Sequence, residues 1–222
     1  MASSSRAFAA NKRLEDPLEY LPCSKVVEFR KGEVIYDADQ PSTAIYLVLE
    51  GRVAVSQLHD RRQVMVDVYR HDDFFGESAL LNLPQQSERA TALEDTKLMI
   101  WSSAEIEDLL MERPGLALAL LQIFVERMRD FTNRIHSLSV NTIPQRLAHS
   151  LVRFSLRLGT PGEGGSVRMA PLTHEMLAEY LGTSRELVSQ YMNHFRKKGY
   201  LQYSRKEILI YQNAWQKWLV QD

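Results

Sequence analysis

The sequence predicts an α+β chain: an N-terminal roll of short β-strands, one long helix with two apolar faces, and a small C-terminal domain built on two helices joined by a tight turn. Three observations predict it. Between Val26 and Met99 the chain is a series of β-branched and aromatic stretches separated by turn residues. After Pro114, apolar residues recur at alternating steps of four and three. From Leu172 to Gly199 a helical period breaks at Gly182-Thr183-Ser184 and then restarts.

Composition sets the limits. The 222 residues are 45% apolar and 25% charged, enough for one or two cores and unlike a disordered chain. No apolar run reaches membrane-spanning length, and Met1 to Asn11 is Ser/Ala-rich without a signal peptide's apolar centre. A flexible leader over 1–20 and a cytoplasmic protein with no membrane partner are therefore expected. The single cysteine, Cys23, excludes internal disulfides and any iron–sulfur or zinc site built on several thiols. Net charge is −1, but it is segregated: Asn141 to Asp222 holds eleven Lys/Arg against six Asp/Glu, and the rest holds sixteen against twenty-two. A basic C-terminal domain on an acidic body suits nucleic-acid binding joined to some other task. The expected division is a sensing roll at 21–112, a dimerisation helix at 113–140 and a DNA-binding domain at 141–222.

In the first part, Val26 to Phe29, Val34 to Tyr36, Ile45 to Glu50, Val53 to Leu58, Val64 to Tyr69 and Lys97 to Trp101 read as strands. Their number and spacing imply a β-roll of the jelly-roll kind, whose edges are covered by closing sheet on sheet. Within it, Phe74-Phe75-Gly76-Glu77-Ser78-Ala79-Leu80-Leu81 is not simple strand: it carries a Gly followed by an acid and a short helical pattern, and Arg89-Ala90-Thr91-Ala92 follows a polar loop. A glycine that admits backbone amides, a helix N-terminus and an arginine suit a phosphate, and a glutamate can accept from a ribose hydroxyl. Gly-Glu pairs and single arginines are also common in ordinary β-turns.

Ala117, Leu121, Phe124, Met128, Phe131, Ile135 and Leu138 form a heptad seam, while Leu118, Leu120 and Ile123 lie on a second face. Burying one face on the roll and the other on a twin predicts a parallel homodimer along 117–138. Asn141-Thr142-Ile143-Pro144 is the hinge, and Gln145 to Leu158 a new amphipathic helix with Leu147, Leu151, Phe154 and Leu158 inward. Gly159 to Gly165 reads as a flexible loop. In the two-helix unit, Val188, Met192 and Phe195 point inward, leaving Arg185, Glu186, Ser189 and Gln190 on the solvated face. That face is the one a helix-turn-helix turns to base edges in the major groove. An ordinary helical hairpin, capped by Thr183 and Glu186, is the competing reading. Leu201 to Tyr203 and Ile208 to Tyr211 flank a basic tip at Arg205-Lys206, as a wing that touches phosphates does.

Taken in order, K-G-E-V-I-Y, Y-L-V-L-E-G-R-V-A-V, F-G-E-S-A-L-L with R-A-T-A, and G-T-S-R-E-L-V-S-Q resemble the Crp/Fnr family of the catabolite activator and the fumarate and nitrate reductase regulator. The resemblance covers roughly residues 20 to 212. It implies a non-enzymatic transcription regulator with a cyclic-nucleotide-binding jelly roll, a dimer helix and a winged helix-turn-helix. It also implies cyclic AMP or another cyclic nucleotide as effector, held by Gly76, Glu77, Ser78, Arg89, Ala90 and Arg127, with Thr132 reaching the base from the partner subunit. Ala90 stands where bacterial relatives often have Ser or Thr, and Phe131 where an adenine-binding Thr is usual; a phenyl ring cannot make that hydrogen bond. The resemblance also implies double-stranded DNA contacts by Thr183, Ser184, Arg185, Glu186, Ser189, Gln190, Arg205 and Lys206, on a palindrome that departs from T-G-T-G-A at one position. RNA polymerase is an implied partner, through the Gly159 to Arg168 loop.

Two mechanisms remain open: a cyclic nucleotide bridges roll and helix, or Glu77 pairs with Arg89 or Arg127 and the dimer binds DNA without ligand. A cupin-type enzyme would need a histidine cluster, which isolated His59 and His71 do not supply. A nucleotide-binding regulatory subunit would have no use for Arg185 to Gln190.

Overall fold

The computed structural model describes residues 15–40, 42–59, 62–81, 87–211 and 215. Most of the expected leader, the His59 side chain and the polar loop at 82–86 lie outside them. Eight strands form the roll: β1 (Lys25–Phe29), β2 (Val34–Tyr36), β3 (Ala44–Glu50), β4 (Val53–His59), β5 (Arg62–Tyr69), β6 (Phe74–Phe75), β7 (Glu88–Ala92) and β8 (Thr96–Ser102). They pair as two antiparallel sheets, in the orders β1-β8-β3-β6 and β2-β7-β4-β5. Sequence reading missed β6 and β7. The second is polar and alanine-rich, and it is a strand because β2 and β4 pair with it from both sides.

Strand alternation builds two cores from the same residues' neighbours. Phe75 and Tyr46 point into the roll, where Tyr46 and Tyr69 stack on Phe75 at 4.9 and 5.5 Å between ring centroids. Phe74, Ile45 and Leu47 point the other way, into a layer closed by two helices, α1 (Ser103–Glu112) and α2 (Pro114–Val140). Ser102 caps α1 in a reciprocal box with Glu105, and Pro114 starts α2 where a first turn tolerates it.

Helix α2 carries the two expected faces, with corrections. Leu116, Ala119, Leu120 and Ile123 are buried, and Phe124, expected on the seam, packs partly against the roll instead. Leu118, expected on the roll, is 47% exposed and joins Leu121, Val125, Met128, Phe131, Ile135 and Leu138 on the open side. The period of 3.6 accounts for both: Phe124 follows Leu120 by four residues, and Leu118 precedes Leu121 and Val125 by three and seven.

Asn141 and Thr142 separate α2 from α3 (Ile143–Leu158), whose first turn is fixed by Gln145 reaching back to the Thr142 amide at 2.9 Å. Leu147, Leu151 and Phe154 are buried as expected. The segment expected as a flexible loop is ordered: β9 (Gly159–Pro161) pairs antiparallel with β10 (Ser166–Met169). Then come α4 (His174–Leu181), α5 (Arg185–Lys197), β11 (Leu201–Tyr203) and β12 (Ile208–Tyr211), the last two joining the sheet β11-β12-β10-β9. This domain's core takes in Met65 and Val68 of β5, so it is packed directly on the roll.

Candidate functional site

The candidate effector side of the roll is built around Gly76. Its φ is +87°, and a Cβ there would lie 2.7 Å from the Ala44 carbonyl and 2.8 Å from the Tyr46 ring, so only glycine lets β6 turn so close to β3. Glu77 opens a 3₁₀ turn, Glu77–Leu81, and its carboxylate takes a hydrogen bond from Arg127 Nη1 of α2 at 2.5 Å. Arg127 also donates to the Phe74 carbonyl and lies over the Tyr69 ring, 4.9 Å from its centroid. Burial works against the Arg127 charge, but the flanking acids and Tyr69 hold its pKa above the ordinary arginine value. Of the two internal pairings open in the sequence, the structure forms Glu77 with Arg127; Arg89 turns instead to Asp37, at 3.4 Å.

Arg89 keeps one feature of an anion receptor: its Nε is buried and has no hydrogen-bond partner among the described residues. Ala90 beside it is fully buried. Ser78 donates to Glu88 at 3.3 Å, and Tyr36 donates to the same carboxylate at 2.5 Å. Burial, with Glu77 nearby, raises the Glu88 pKa even though the Tyr36 hydrogen bond opposes it. Thr132 is exposed and bonds its own helix, at the Met128 carbonyl. Phe131, which stands where an adenine-binding Thr is usual, is 40% exposed on the open side of α2. Sequence reasoning missed Asp37, Tyr36, Tyr69 and Glu88, which strand register alone brings to this site.

The second site is on α4 and α5. Thr173 caps α4, and Gly182 closes it in the left-handed region at φ +63°. Ser184 caps α5, accepting from the Leu187 amide at 3.3 Å. The cap is therefore Ser184 and not the Thr183 of the competing hairpin reading, and its hydroxyl is used within the helix. Val188, Met192 and Phe195 are buried; Arg185, Glu186 and Gln190 are exposed, and Ser189 is half-buried against His174. At the wing tip, Ser204 accepts from the Lys206 and Glu207 amides, and Arg205 and Lys206 stand exposed. Among the described residues no group of three His, Cys, Asp or Glu could hold a metal, and no helix is long and apolar enough to cross a membrane.

A third cluster, not foreseen from sequence, joins the two halves. Asp67 of β5 is nearly sealed from solvent and takes two hydrogen bonds from Arg153 of α3, at 3.1 and 2.8 Å, and another from Arg157. Arg153 reaches Asp130 of α2 at 3.1 Å, and Arg157 reaches Asp73 at 2.9 Å. Burial disfavours the Asp67 charge, but Arg157 and Arg153 outweigh it and hold the carboxyl below its ordinary pKa. Arg134 of α2 donates to the carbonyls of Val66 and Tyr180 and stacks on the Tyr180 ring at 4.1 Å.

Residues 26–113 match the cyclic nucleotide-binding domain family, and residues 145–213 match the Crp-like helix-turn-helix domain family. The two stand in the order of the roll and the winged domain, on either side of the long helix. The chain belongs to the Crp/Fnr family of transcription regulators. As a member it is a DNA-binding regulator with an effector-binding domain, and not an enzyme. This Crp/Fnr regulator is 26% identical over 186 residues to the CRP-like cAMP-activated global transcriptional regulator of Mycobacterium tuberculosis, covering 83% of each chain. It is 25% identical over 191 residues to the global nitrogen regulator of Synechococcus elongatus, covering 84% of this chain and 86% of the other. Its fold is that of FixK2 from Bradyrhizobium japonicum, with a TM-score of 0.74, 24% identity, and 87% and 96% of the two chains covered.

Proposed function

We propose that this regulator acts in the cytoplasm as a homodimer joined along 117–138, reads palindromic operators with Arg185, Glu186, Ser189 and Gln190, and answers to a cyclic nucleotide. The observation that carries the operator reading is the bare face of α5, where Arg185, Glu186 and Gln190 are exposed above a fully buried Val188 and Met192. Arg185 can fork to guanine O6 and N7, Glu186 can accept from cytosine N4, and Gln190 suits adenine. Thr183, Ser184, Arg205 and Lys206 then meet the phosphates.

For the effector, support comes from the buried, unpartnered Nε of Arg89, and from the mycobacterial relative being cAMP-activated. In this reading Gly76, Glu77, Ser78, Arg89 and Ala90 form the floor, and Arg127 is the link: the group that holds Glu77 also belongs to the dimer helix. A cyclic nucleotide would supply an anion for Arg89 and its one free ribose hydroxyl for Glu77. Its differential affinity for one arrangement of roll and helix would then shift the DNA-competent population. A second reading has its own observation: Glu77 is already satisfied by Arg127, and Phe131 offers no partner for a base, so the dimer binds DNA without ligand. RNA polymerase is the partner of an activator, through the β9–β10 hairpin. Calorimetric titration with cyclic AMP and cyclic GMP, beside DNA-binding measurements, decides between them: heat with a change in operator affinity supports the first, and neither supports the second.

A further inference from the structure

Of the α5 side chains that the operator reading turns to DNA, Ser189 alone is held by another element among the described residues. His174, the first residue of α4, places Nδ1 2.8 Å from Ser189 Oγ. The imidazole is itself fixed, edge-on to the Tyr203 ring of β11 with centroids 5.4 Å apart. Ser189 thus sits where both helices and the wing converge, while Arg185 and Gln190 beside it stay free to sample the groove.

A serine hydroxyl has one proton and two lone pairs. A neutral imidazole has one nitrogen that donates and one that accepts, and in its commoner tautomer the proton is on Nε2, leaving Nδ1 to accept. We propose that His174 is a positioning residue for base readout: by taking the only hydroxyl proton of Ser189, it presents Ser189 to the major groove as an acceptor, selecting a base that donates there. Those bases are adenine, through N6, and cytosine, through N4; guanine and thymine offer Ser189 only acceptors at the corresponding edge. The inference rests on the operator reading above.

The state of the imidazole follows its surroundings. Burial, and then the Arg185 charge, hold its pKa below the ordinary histidine value, so it is neutral at neutral pH. Lys31, Arg205 and Lys206, with Arg52 paired to Glu94, line the same cleft. When acid does protonate the imidazole, both nitrogens donate, Ser189 must accept, and its hydroxyl proton turns outward. The preference then changes sides.

Selection from a library of randomised palindromes by the full-length protein comes first; unselective binding at this stage overturns the operator reading itself. Given selective binding, one half-site position is expected to favour adenine or cytosine by at least about fivefold. His174→Phe keeps a ring against Tyr203 but cannot accept, and it should erase that one preference while leaving the others and the unfolding midpoint in place. Ser189→Ala should do the same, and the double variant should add nothing. Wild-type preference at this position should pass from adenine or cytosine to guanine or thymine as pH drops below the imidazole range, with His174→Phe flat. Retention of the preference in His174→Phe, or a position favouring guanine or thymine at neutral pH, overturns the inference.

Discussion

Arg127 is gripped on three sides, by the Glu77 carboxylate, the Phe74 carbonyl and the face of Tyr69. Truncating it leaves an acceptor and a half-buried acid without their donor, which costs about 1–3 kcal/mol. Arg127→Ala should therefore lower the unfolding midpoint; an unchanged midpoint would mean the pair is screened by solvent and holds nothing. Arg185 is a contrasting case, an exposed residue whose side chain makes no hydrogen bond or ion pair among the described residues. Arg185→Ala should leave stability alone and cost about 1–3 kcal/mol of binding at one base pair. Binding curves on single-base operator variants read this directly, and an equal loss on every sequence would make Arg185 a phosphate contact instead. At this scale the exposure of Arg185, Glu186 and Gln190 and the Gly76-Glu77 turn were legible in the sequence, because each is local. It could not reveal that Asp37 faces Arg89 or that Tyr36 donates to Glu88, since those pairs depend on the register between β2 and β7.

Helix α2 leaves Leu121, Val125, Met128, Ile135 and Leu138 exposed along one side, an apolar stripe too long for an ordinary solvated face. A charge in its middle is incompatible with a packed seam. On the proposed homodimer, Ile135→Glu should give a monomer in sedimentation and, with half-sites no longer paired, abolish operator binding; a dimer that survives the change places the interface elsewhere. The helices and strands with clean periods were readable from sequence, and so was the basic hairpin of the wing. Helix α1 was missed although its capping box, Ser102 with Glu105, is written in the sequence. The β9–β10 hairpin was missed because Gly159-Thr160-Pro161 has turn composition, and β10 makes it a strand by pairing. Such elements are decided by their neighbours, which a local period cannot report.

Across the whole molecule, Asp67, Arg153 and Arg157 bind roll to DNA-binding domain, and Asp130 ties α2 to the same cluster. Removing one member of a buried pair costs about 3–5 kcal/mol. Asp67→Asn should loosen the junction, seen as faster proteolysis near 141–144 and separate unfolding transitions in calorimetry. A single unshifted transition would show that apolar packing alone holds the halves. Because the Asp67 carboxyl is held below its ordinary pKa, its contribution is fully present at neutral pH and is lost as pH falls through the lowered value. Wild-type protein should therefore loosen only below about pH 4, and Asp67→Asn should lack that acid step. None of this was visible in the sequence, where Asp67 and Arg153 are simply charges 86 residues apart. The loan of Met65 and Val68 to the winged domain's core has a practical corollary. No cut at the Asn141–Pro144 joint yields two tidy fragments: each piece would carry a raw greasy scar, and the excised C-terminal piece should clump unless those scars are masked by polar replacements.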